Sequence, residues 1–254
     1  MSISESEAMQ SNDVSAPEDI LRVEGVWGGY GGLDILQGID LVARRGEITC
    51  IVGPNGSGKS TVFKAVYGLI DIRQGEVHFN GIETTGRSPR NLLKLGMAML
   101  PQLSTVFPTM TVEENLELGM YVVRDKRKVN RRVNEIFDLF PRLRERRRQH
   151  ASTLSGGERR ALEIGRSLML EPSLLLLDEP SVGLSPKIVH EVFEQLVDLK
   201  QNAGISVLMV EQNAKSALSI SERGFVVQRG RVTHSGRGQE LLDDPEVRAA
   251  FLGG

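Results

Sequence analysis

The 254-residue chain has little of several features that mark whole classes of protein. Its one cysteine, Cys50, excludes an intrachain disulfide, and because it lies in the apolar stretch ITCIVG we interpret it as a buried core residue in a reducing compartment. Lysine and arginine total 31 against 33 acidic residues, so the chain has no general basic field of the kind that holds nucleic acid non-specifically. No nucleic-acid partner is therefore expected.

The chain also lacks a hydrophobic run long enough to span a membrane. Even the apolar stretch at residues 174–177 is closed by Asp178 and Glu179, whereas a spanning helix needs roughly 20 apolar residues. The first residues are polar and acidic and contain no apolar segment of the kind that a secretory signal has. We therefore expect a disordered tail over residues 1–19 and one domain over residues 20–254.

Short apolar segments separated by polar turns indicate an α/β fold. The opening segments after Leu21, among them IDLVARRGEITCIVG and EVHFNGIE, are typical of a strand-rich region. Later segments such as MAMLPQ, SLLLLDEP and ISVLMVEQ are short and apolar, as buried parallel strands are. Between the last two, a segment of helical apolar spacing starts at Pro186 and stops at Gly204. Strand, crossover helix and strand form the unit of a parallel sheet.

A helical subdomain is predicted within the sheet-forming sequence. From about residue 111 to residue 150 the chain contains no strand-like segment. Thr111 and Glu114 stand in capping-box register at the start of TVEENLELGMY, which predicts a helix N-terminus. We expect the inserted helices to occupy about residues 103–165.

The segment GPNGSGKST matches the phosphate-loop pattern and lies between an apolar strand and a predicted helix. In such a loop, glycines allow backbone N–H groups to point at phosphates, Lys59 supplies a charge to the β and γ oxygens, and the Ser60 hydroxyl completes Mg²⁺ coordination. The alternative, a plain glycine-rich turn, does not account for the full match in this context. The predicted phosphate-binding residues are Gly53, Pro54, Asn55, Gly56, Ser57, Gly58, Lys59, Ser60 and Thr61.

The segment LLLLDEP places two carboxylates at the end of a buried strand, the edge of such sheets where ligands bind. Asp178 is predicted to hold Mg²⁺, directly or through water, and Glu179 to orient or deprotonate the attacking water. Two acidic residues capping a turn before Pro180 are the alternative. The phosphate loop upstream favours the catalytic interpretation.

The segment LSGGE predicts a second anion-binding site. Ser155 and Glu158 form a capping box that starts a helix. Ser155, Gly156 and Gly157 would present free N–H groups at the positive end of the helix dipole. The capping box alone leaves open a well-capped helix without a ligand.

The order of these motifs, with LSGGE between the phosphate loop and LLLLDEP, resembles that of the ABC-type ATPases, and the likeness runs from Leu21 to Gly254. The resemblance implies a P-loop NTPase fold with a mixed sheet core, an N-terminal antiparallel β subdomain and an inserted α-helical signature subdomain. It also implies hydrolysis of ATP with Mg²⁺ by a head-to-tail pair, in which the signature of one subunit closes over ATP on the phosphate loop of the other.

The same resemblance assigns two further residues. Tyr30 in GGYGG looks like the aromatic residue that stacks on adenine, although Trp27 nearby competes for that role and a surface tyrosine is the plain alternative. Gln102, after the strand MAMLP, resembles the glutamine that reaches both Mg²⁺ and the attacking water and joins the core to the helical subdomain.

More selective stretches, PQLSTVFPTMTVEENLELG, DEPSVGLSP, VEQNA and the terminal FLGG, resemble the ATPases of branched-chain amino acid importers, and among these the shorter, LivF-like one. The likeness implies a second ABC ATPase subunit in a heterodimer or a homodimer, two transmembrane permease subunits and, indirectly, an external substrate-binding protein. It implies a peripheral position at the cytoplasmic face of the cell membrane. Importers of urea or other polar amides and amino acids share these segments.

Two positions depart from the general family pattern. Gln212 stands where most members have a histidine, and an amide can hydrogen-bond the γ-phosphate but cannot titrate near neutral pH. We hypothesise that Gln212 senses the γ-phosphate with slower turnover than a histidine would allow. Ser185 in GLSP occupies a position often filled by aspartate in the loop at the subunit interface, which predicts a weaker cross-contact.

Residues 124–148 contain eleven Lys or Arg against four Asp or Glu. A solvated helical face is the favoured interpretation, because charge runs mostly have that origin. Contact with a permease loop or with anionic lipid headgroups is the functional alternative.

A mechanical ABC-type ATPase of DNA repair or translation is the alternative function. The repair heads carry a long heptad-bearing insertion between the two nucleotide motifs, and the translation ATPases carry two cassettes; neither matches this sequence. A P-loop small-molecule kinase is a third possibility that gives LSGGE no role.

Overall fold

The computed structural model describes residues 18–252, so residues 1–17 of the expected tail lie outside the described residues, and Asp19 already belongs to the first strand. The described residues form ten strands: β1 (Asp19–Tyr30), β2 (Leu33–Arg44), β3 (Ile48–Val52), β4 (Ile72–Phe79), β5 (Ile82–Glu83), β6 (Met97–Leu100), β7 (Leu174–Asp178), β8 (Ser206–Glu211), β9 (Arg223–Gln228) and β10 (Arg231–Gly236).

The helices lie mainly between these strands. They are α1 (Lys59–Val66), α2 (Pro89–Leu95), α3 (Val112–Leu118), α4 (Lys126–Leu139), α5 (Pro141–Glu145), α6 (Gly156–Ser167), α7 (Pro186–Ala203), α8 (Ala214–Ser219), α9 (Gly238–Asp243) and α10 (Pro245–Val247), with a 3₁₀ turn at Ala151–Thr153 and a π-helical turn at Arg248–Leu252. Among residues 18–252, no helix combines the length and the apolar composition needed to cross a membrane.

The first sheet is antiparallel and has the strand order β2-β1-β4-β5. Gly31 and Gly32 have positive φ angles of 55° and 82° and form the two-residue turn between β1 and β2, a conformation that glycine adopts readily. Tyr30 pairs with Leu33 across this turn. The predicted N-terminal antiparallel subdomain is confirmed.

The second sheet is mixed and has the order β10-β9-β3-β8-β7-β6, in which β10 runs antiparallel to β9 and the other described pairs are parallel. Its side chains alternate between two hydrophobic clusters. Cys50 and Leu175 face residues of α4, α6 and α7, whereas Ile51 and Leu176 face residues of β1, β2 and α1. Cys50 is fully buried, as expected, and burial raises the pKa of its thiol to about 12.

The parallel strands end at one edge of the mixed sheet. Gly53 follows β3, Gln102 lies two residues after β6, Glu179 follows β7, and Gln212 follows β8. Because the carboxyl ends of parallel strands meet at the same edge, residues that are far apart in the sequence lie together there.

The inserted helices α3 to α6 lie between β6 and β7. Both predicted capping boxes are present: Thr111 pairs with Glu114 at the start of α3, and Ser155 pairs with Glu158 at the start of α6. Each box satisfies backbone N–H groups that the first helical turn leaves unbonded. The start of the signature segment is therefore fixed by its own sequence.

The arginine-rich segment forms α4, α5 and the turn that follows. Most of its apolar side chains are buried, and several of its arginines are held by contacts within the chain, which is typical of a solvated helical face. These contacts are Arg132 to the Leu168 carbonyl at 2.7 Å, Arg144 to Asp138 at 2.7 Å, Arg146 to Glu158 at 2.5 Å and Arg147 to Glu113 at 2.5 Å.

Candidate functional site

The phosphate loop, residues 53–61, runs from the end of β3 into the first turn of α1. Gly53, Gly56 and Gly58 have positive φ angles of 153°, 76° and 106°. At Gly53 a Cβ atom would lie 2.1 Å from the carbonyl oxygen of Val227, so the loop depends on glycine there. The loop borders a cavity of about 470 Å³, and the loop residues that line this cavity are Asn55, Gly56, Gly58, Lys59, Ser60 and Thr61.

Two buried polar groups of the loop fit a phosphate ligand. Lys59 is 4% exposed, and its Nζ atom donates to the carbonyl oxygens of Gly53 at 2.8 Å and Pro54 at 3.0 Å. Burial lowers the pKa of Lys59, and nearby carboxylates oppose that effect. The Oγ atom of Ser57 is buried and has no hydrogen-bond partner among the described residues. A buried ammonium and an unsatisfied hydroxyl beside free backbone N–H groups are the chemistry of an anion site.

Ser60 and Asp178 meet beside the phosphate loop. The Ser60 hydroxyl donates to Oδ1 of Asp178 at 3.1 Å, and Asp178 is 7% exposed at the last position of β7. Burial raises the pKa of Asp178, whereas the Ser60 hydrogen bond and the charges of Lys64 and Lys59 act to lower it. A hydroxyl oxygen and a carboxylate oxygen are the hard ligands that Mg²⁺ prefers, so these residues fit that ion.

Glu179 and Gln102 lie at the same cavity, where the Nε2 atom of Gln102 donates to Oε2 of Glu179 at 2.7 Å. Adjacent side chains on a regular strand point to opposite faces, which would separate Glu179 from Asp178. The strand ends at Asp178, and Glu179 has a φ of 49°, a left-handed conformation that costs a non-glycine residue roughly 1–2 kcal/mol. This backbone change is how two consecutive carboxylates both reach the site.

Gln212 also lines the cavity, directly after β8. Its backbone N–H donates to Oε2 of Glu211 at 3.1 Å. Glu211 is fully buried and also accepts from the N–H of Ser181 at 2.8 Å and from its hydroxyl at 2.7 Å. Burial raises the pKa of Glu211, and hydrogen bonds from Ser181 and neighbouring backbone groups oppose the rise.

Glu211 therefore ties the loop after β7 to the loop that carries Gln212. The sequence patterns assign Glu211 no role. The available signal was a carboxylate at the end of the buried strand SVLMVE, the same position that Asp178 has on its strand.

Tyr30 lies at the hairpin turn of the antiparallel sheet and is 44% exposed. It is not among the residues that line the phosphate-loop cavity, but the Lys64 ammonium, from α1, lies 5.6 Å from its ring centroid. Trp27 has the guanidinium of Arg231 at 5.8 Å from its ring. Each ring thus has a cation over one face, and exposure distinguishes them: Tyr30 is exposed whereas Trp27 is half-buried, which favours Tyr30 for stacking.

The signature residues lie apart from the phosphate loop of the same chain. Ser155 and Gly157 line a second cavity, of about 500 Å³, together with residues of α5 and α7. The glycines also have a packing role: a Cβ at Gly156 would lie 3.1 Å from Leu184, and one at Gly157 would lie 2.9 Å from Ile188. The predicted site residues therefore form two groups, one at the phosphate loop and one at the start of α6.

Comparisons with known proteins bear on the family and the fold of the chain. The family model described as ABC transporter matches residues 36–182. The "probable branched-chain amino acid transport ATP-binding protein LivF" of Archaeoglobus fulgidus is 40% identical over 234 residues, which cover 92% of this chain and 99% of that protein. The "high-affinity branched-chain amino acid transport ATP-binding protein BraG" of Pseudomonas aeruginosa is 40% identical over 225 residues, which cover 89% of this chain and 96% of that protein.

A similar solved structure is the crystal structure of the ADP conformation of an ATP-binding cassette of an ABC transporter. It superposes with a TM-score of 0.84 at 28% identity, and the match covers 93% of this chain and 100% of that one.

Proposed function

The chain belongs to the ABC transporter family, and from this premise we propose that it is the ATPase subunit of an importer for branched-chain or related polar amino acids. The observation that carries the proposal is the convergence at one sheet edge of the phosphate loop, the Ser60–Asp178 contact and the Gln102–Glu179 contact. The amino acid cargo comes from the names of two relatives at 40% identity.

The phosphate-loop residues are proposed to bind the triphosphate of ATP. Lys59 would exchange its contacts with the Gly53 and Pro54 carbonyls for phosphate oxygens, and the Ser57 hydroxyl would gain its missing partner. Tyr30 would stack on the adenine ring. The loop residues thus act on the triphosphate, and Tyr30 acts on the base.

Ser60, Asp178 and Gln102 are the residues that would hold Mg²⁺. When bound, the ion neutralises negative charge on the transferred phosphate. Because Asp178 is buried and accepts from Ser60, its carboxylate is already oriented toward the phosphate loop. Gln102 offers its amide oxygen, since its amide nitrogen is engaged by Glu179.

Glu179 is proposed as the base that orients or deprotonates the attacking water. Its carboxylate faces the cavity and is held through one oxygen by Gln102, which leaves the other oxygen for water. Gln212 is proposed to donate a hydrogen bond to the γ-phosphate without changing charge.

Hydrolysis is proposed to need two ATPase subunits arranged head to tail. The signature residues line a cavity other than the one beside the phosphate loop of their own chain. The N-terminus of α6 at Gly156 and Gly157 and the helix dipole suit an anion, which a second subunit would supply. Loss of the shared γ-phosphate charge would then loosen the pair.

An apolar groove of about 450 Å³ between β6, α3 and α6 is proposed to receive a cytoplasmic loop of a permease subunit. Phe107 and Tyr121 line it and are 49% and 82% exposed, and Val122 beside them is 60% exposed. Thr105, which lies on the loop of Gln102, also lines this groove. A movement of that loop would therefore change the shape of the groove and displace the bound permease loop.

Two permeases and a second ATPase would hold the chain at the cytoplasmic face of the membrane as a peripheral subunit. The groove variant Tyr121→Asp should lose the permeases and keep its fold. Ile82→Asp, at an exposed apolar residue of the antiparallel sheet, is the matched control.

The deciding experiment is purification of the tagged chain from native membranes, followed by identification of the bound subunits. A second ATPase with two permeases supports the proposal, and the identity of the permeases narrows the cargo. Recovery with ribosomes or DNA and without any permease would contradict it in favour of a mechanical ATPase.

A further inference from the structure

We propose that Glu163 is a positioning residue that fastens the loop of Gln102 to the signature helix α6, so that the two ATP sites of an assembled pair respond to each other. Glu163 is 2% exposed on α6. Its Oε1 atom accepts from the Ser104 hydroxyl at 2.5 Å and from the Thr105 N–H at 3.0 Å. Its Oε2 atom accepts from Arg160 at 3.0 Å.

These bonds complete a short chain of contacts across the subunit. At one end Gln102 donates to Glu179 at 2.7 Å, and two residues later Ser104 donates to Glu163. At the other end α6 begins with the signature residues at its capped N-terminus. The base and the signature helix are thus joined through one loop and one buried carboxylate.

Arg166, one turn further along α6, gives the same loop a second attachment. It donates to the Thr105 carbonyl at 2.7 Å and to the Thr105 hydroxyl, and its guanidinium lies 5.7 Å from the Phe107 ring centroid. Burial lowers the pKa of Arg166. The loop is therefore held to α6 by side chains from two successive turns.

The chemistry of Glu163 suits this function. A buried carboxylate is costly unless its oxygens are hydrogen-bonded, and here the loop supplies two of the three donors. If α6 moved without the loop, Glu163 would lose both donors, so movement of the helix draws the loop with it. Charge-assisted bonds of this kind are stronger than neutral ones.

The consequence follows from the proposed pairing of subunits, on which this inference rests. In that arrangement α6 contacts the ATP of the partner subunit, while Gln102 acts at the ATP of its own chain. Glu163 would then carry the state of one ATP site to the other within a single subunit.

The test is the ATP dependence of hydrolysis by the complex isolated through a tag on this chain. Ser104→Ala removes the donor from an exposed residue and should leave the fold intact. Glu163→Gln keeps the size of the side chain but removes its charge, which weakens the hydrogen bonds that it accepts from the loop and from Arg160. Each should lower kcat about three- to tenfold, the size expected for a weakened coupling contact, and bring the Hill coefficient for ATP toward 1.

Three controls separate positioning from a structural role. Affinity for a fluorescent ATP analogue should be unchanged in every variant, and Ser104→Thr, which keeps the hydroxyl, should retain wild-type cooperativity. Ser219→Ala removes a surface serine hydrogen bond elsewhere in the chain and should have no effect. Combining Ser104→Ala with Glu163→Gln should cost no more than Glu163→Gln alone, because both remove one link.

The outcomes distinguish the two proposals. A cooperative wild-type complex whose kcat and Hill coefficient survive in Ser104→Ala and Glu163→Gln would overturn the role of Glu163 and leave the paired function standing. A wild-type complex that hydrolyses ATP with a Hill coefficient of 1 would overturn this inference alone, whereas hydrolysis by a complex that contains a single ATPase subunit would overturn the paired function and this inference with it.

Discussion

The side-chain amide of Gln102 lies 2.7 Å from the Glu179 carboxylate, in a contact that joins the loop after β6 to the loop after β7. The contact holds one carboxylate oxygen of Glu179, so the direction of the other oxygen is set by the position of the Gln102 loop. Since the same loop is bonded to α6 through Glu163, the orientation of the proposed base depends on a helix outside the sheet.

Glu179 should be needed for hydrolysis and not for ATP binding. Glu179→Gln keeps the shape of the side chain but removes the basic oxygen, so kcat for ATP hydrolysis should fall at least about 100-fold while ATP binding is retained. ATP should then trap the closed pair of subunits, measurable by size-exclusion chromatography, and transport should be abolished. Glu76→Gln, at an exposed carboxylate of β4, is the control. Normal turnover by Glu179→Gln would assign the base elsewhere.

Lys59 should be needed for affinity. Lys59→Met keeps most of the length of the side chain but removes the buried ammonium, and the loss of charge-assisted bonds should weaken ATP binding about 10- to 100-fold. Equilibrium binding of a fluorescent ATP analogue measures the effect. Lys94→Met, on the exposed side of α2, should bind normally; equal loss in both variants would exclude a specific role for Lys59.

Gln212 should set turnover and leave affinity unchanged. Gln212→His should leave ATP affinity similar and raise kcat, because an imidazole can hydrogen-bond the γ-phosphate and also move a proton. The variant should further acquire a pH dependence of kcat near the histidine pKa, about 6.5, that the wild-type glutamine does not supply. An unchanged kcat in the assembled complex would reject this role.

Alanine variants of Tyr30 and Trp27 distinguish which of the two rings stacks on adenine. If Tyr30 stacks on the base, Tyr30→Ala should weaken ATP binding about three- to tenfold, and Tyr30→Phe should restore most of it. Trp27→Ala should have little effect on affinity, since the half-buried Trp27 ring is less open to a ligand than the exposed Tyr30 ring. A larger loss of ATP affinity in Trp27→Ala than in Tyr30→Ala would assign the stacking role to Trp27.

Glu211 should make stability depend on pH in a defined direction. Burial raises the pKa of Glu211 above the usual 4.5 in the folded chain. At pH values between 4.5 and this raised pKa, the folded chain therefore binds more protons than the unfolded chain. Linkage then lowers the free energy of unfolding as the pH rises through this window. Glu211→Gln removes the titration, so the stability of the variant relative to wild type should rise with pH from 4.5 upward.

Urea denaturation of both proteins over this pH range measures the difference. Because other titrating groups are common to the two chains, their contributions cancel in the comparison. The exposed Glu24 provides the control variant Glu24→Gln, whose difference from wild type should not follow this trend. A difference for Glu211→Gln that stays constant or falls with rising pH would contradict the prediction.

The sequence by itself determined the local elements of this protein. The glycines of the phosphate loop, the two capping boxes and the apolar strands that end in Asp178 or Glu211 all follow from backbone sterics, hydrogen-bond satisfaction and burial, which act over a few residues. The order of the motifs carried the family resemblance, the resemblance supplied their expected roles, and the fold it implied is the one observed.

Only the tertiary structure decided which of these elements meet. The left-handed turn at Glu179 and the separation of the signature from its own phosphate loop are seen only in the folded chain. The bonds of Glu163 to Ser104 and Thr105 join segments that lie tens of residues apart in the sequence. The physical reason is that a side-chain hydrogen bond forms within about 3 Å, and the distance between remote segments is fixed by the packing of the sheet and helices. Local sequence patterns contain no measure of that distance.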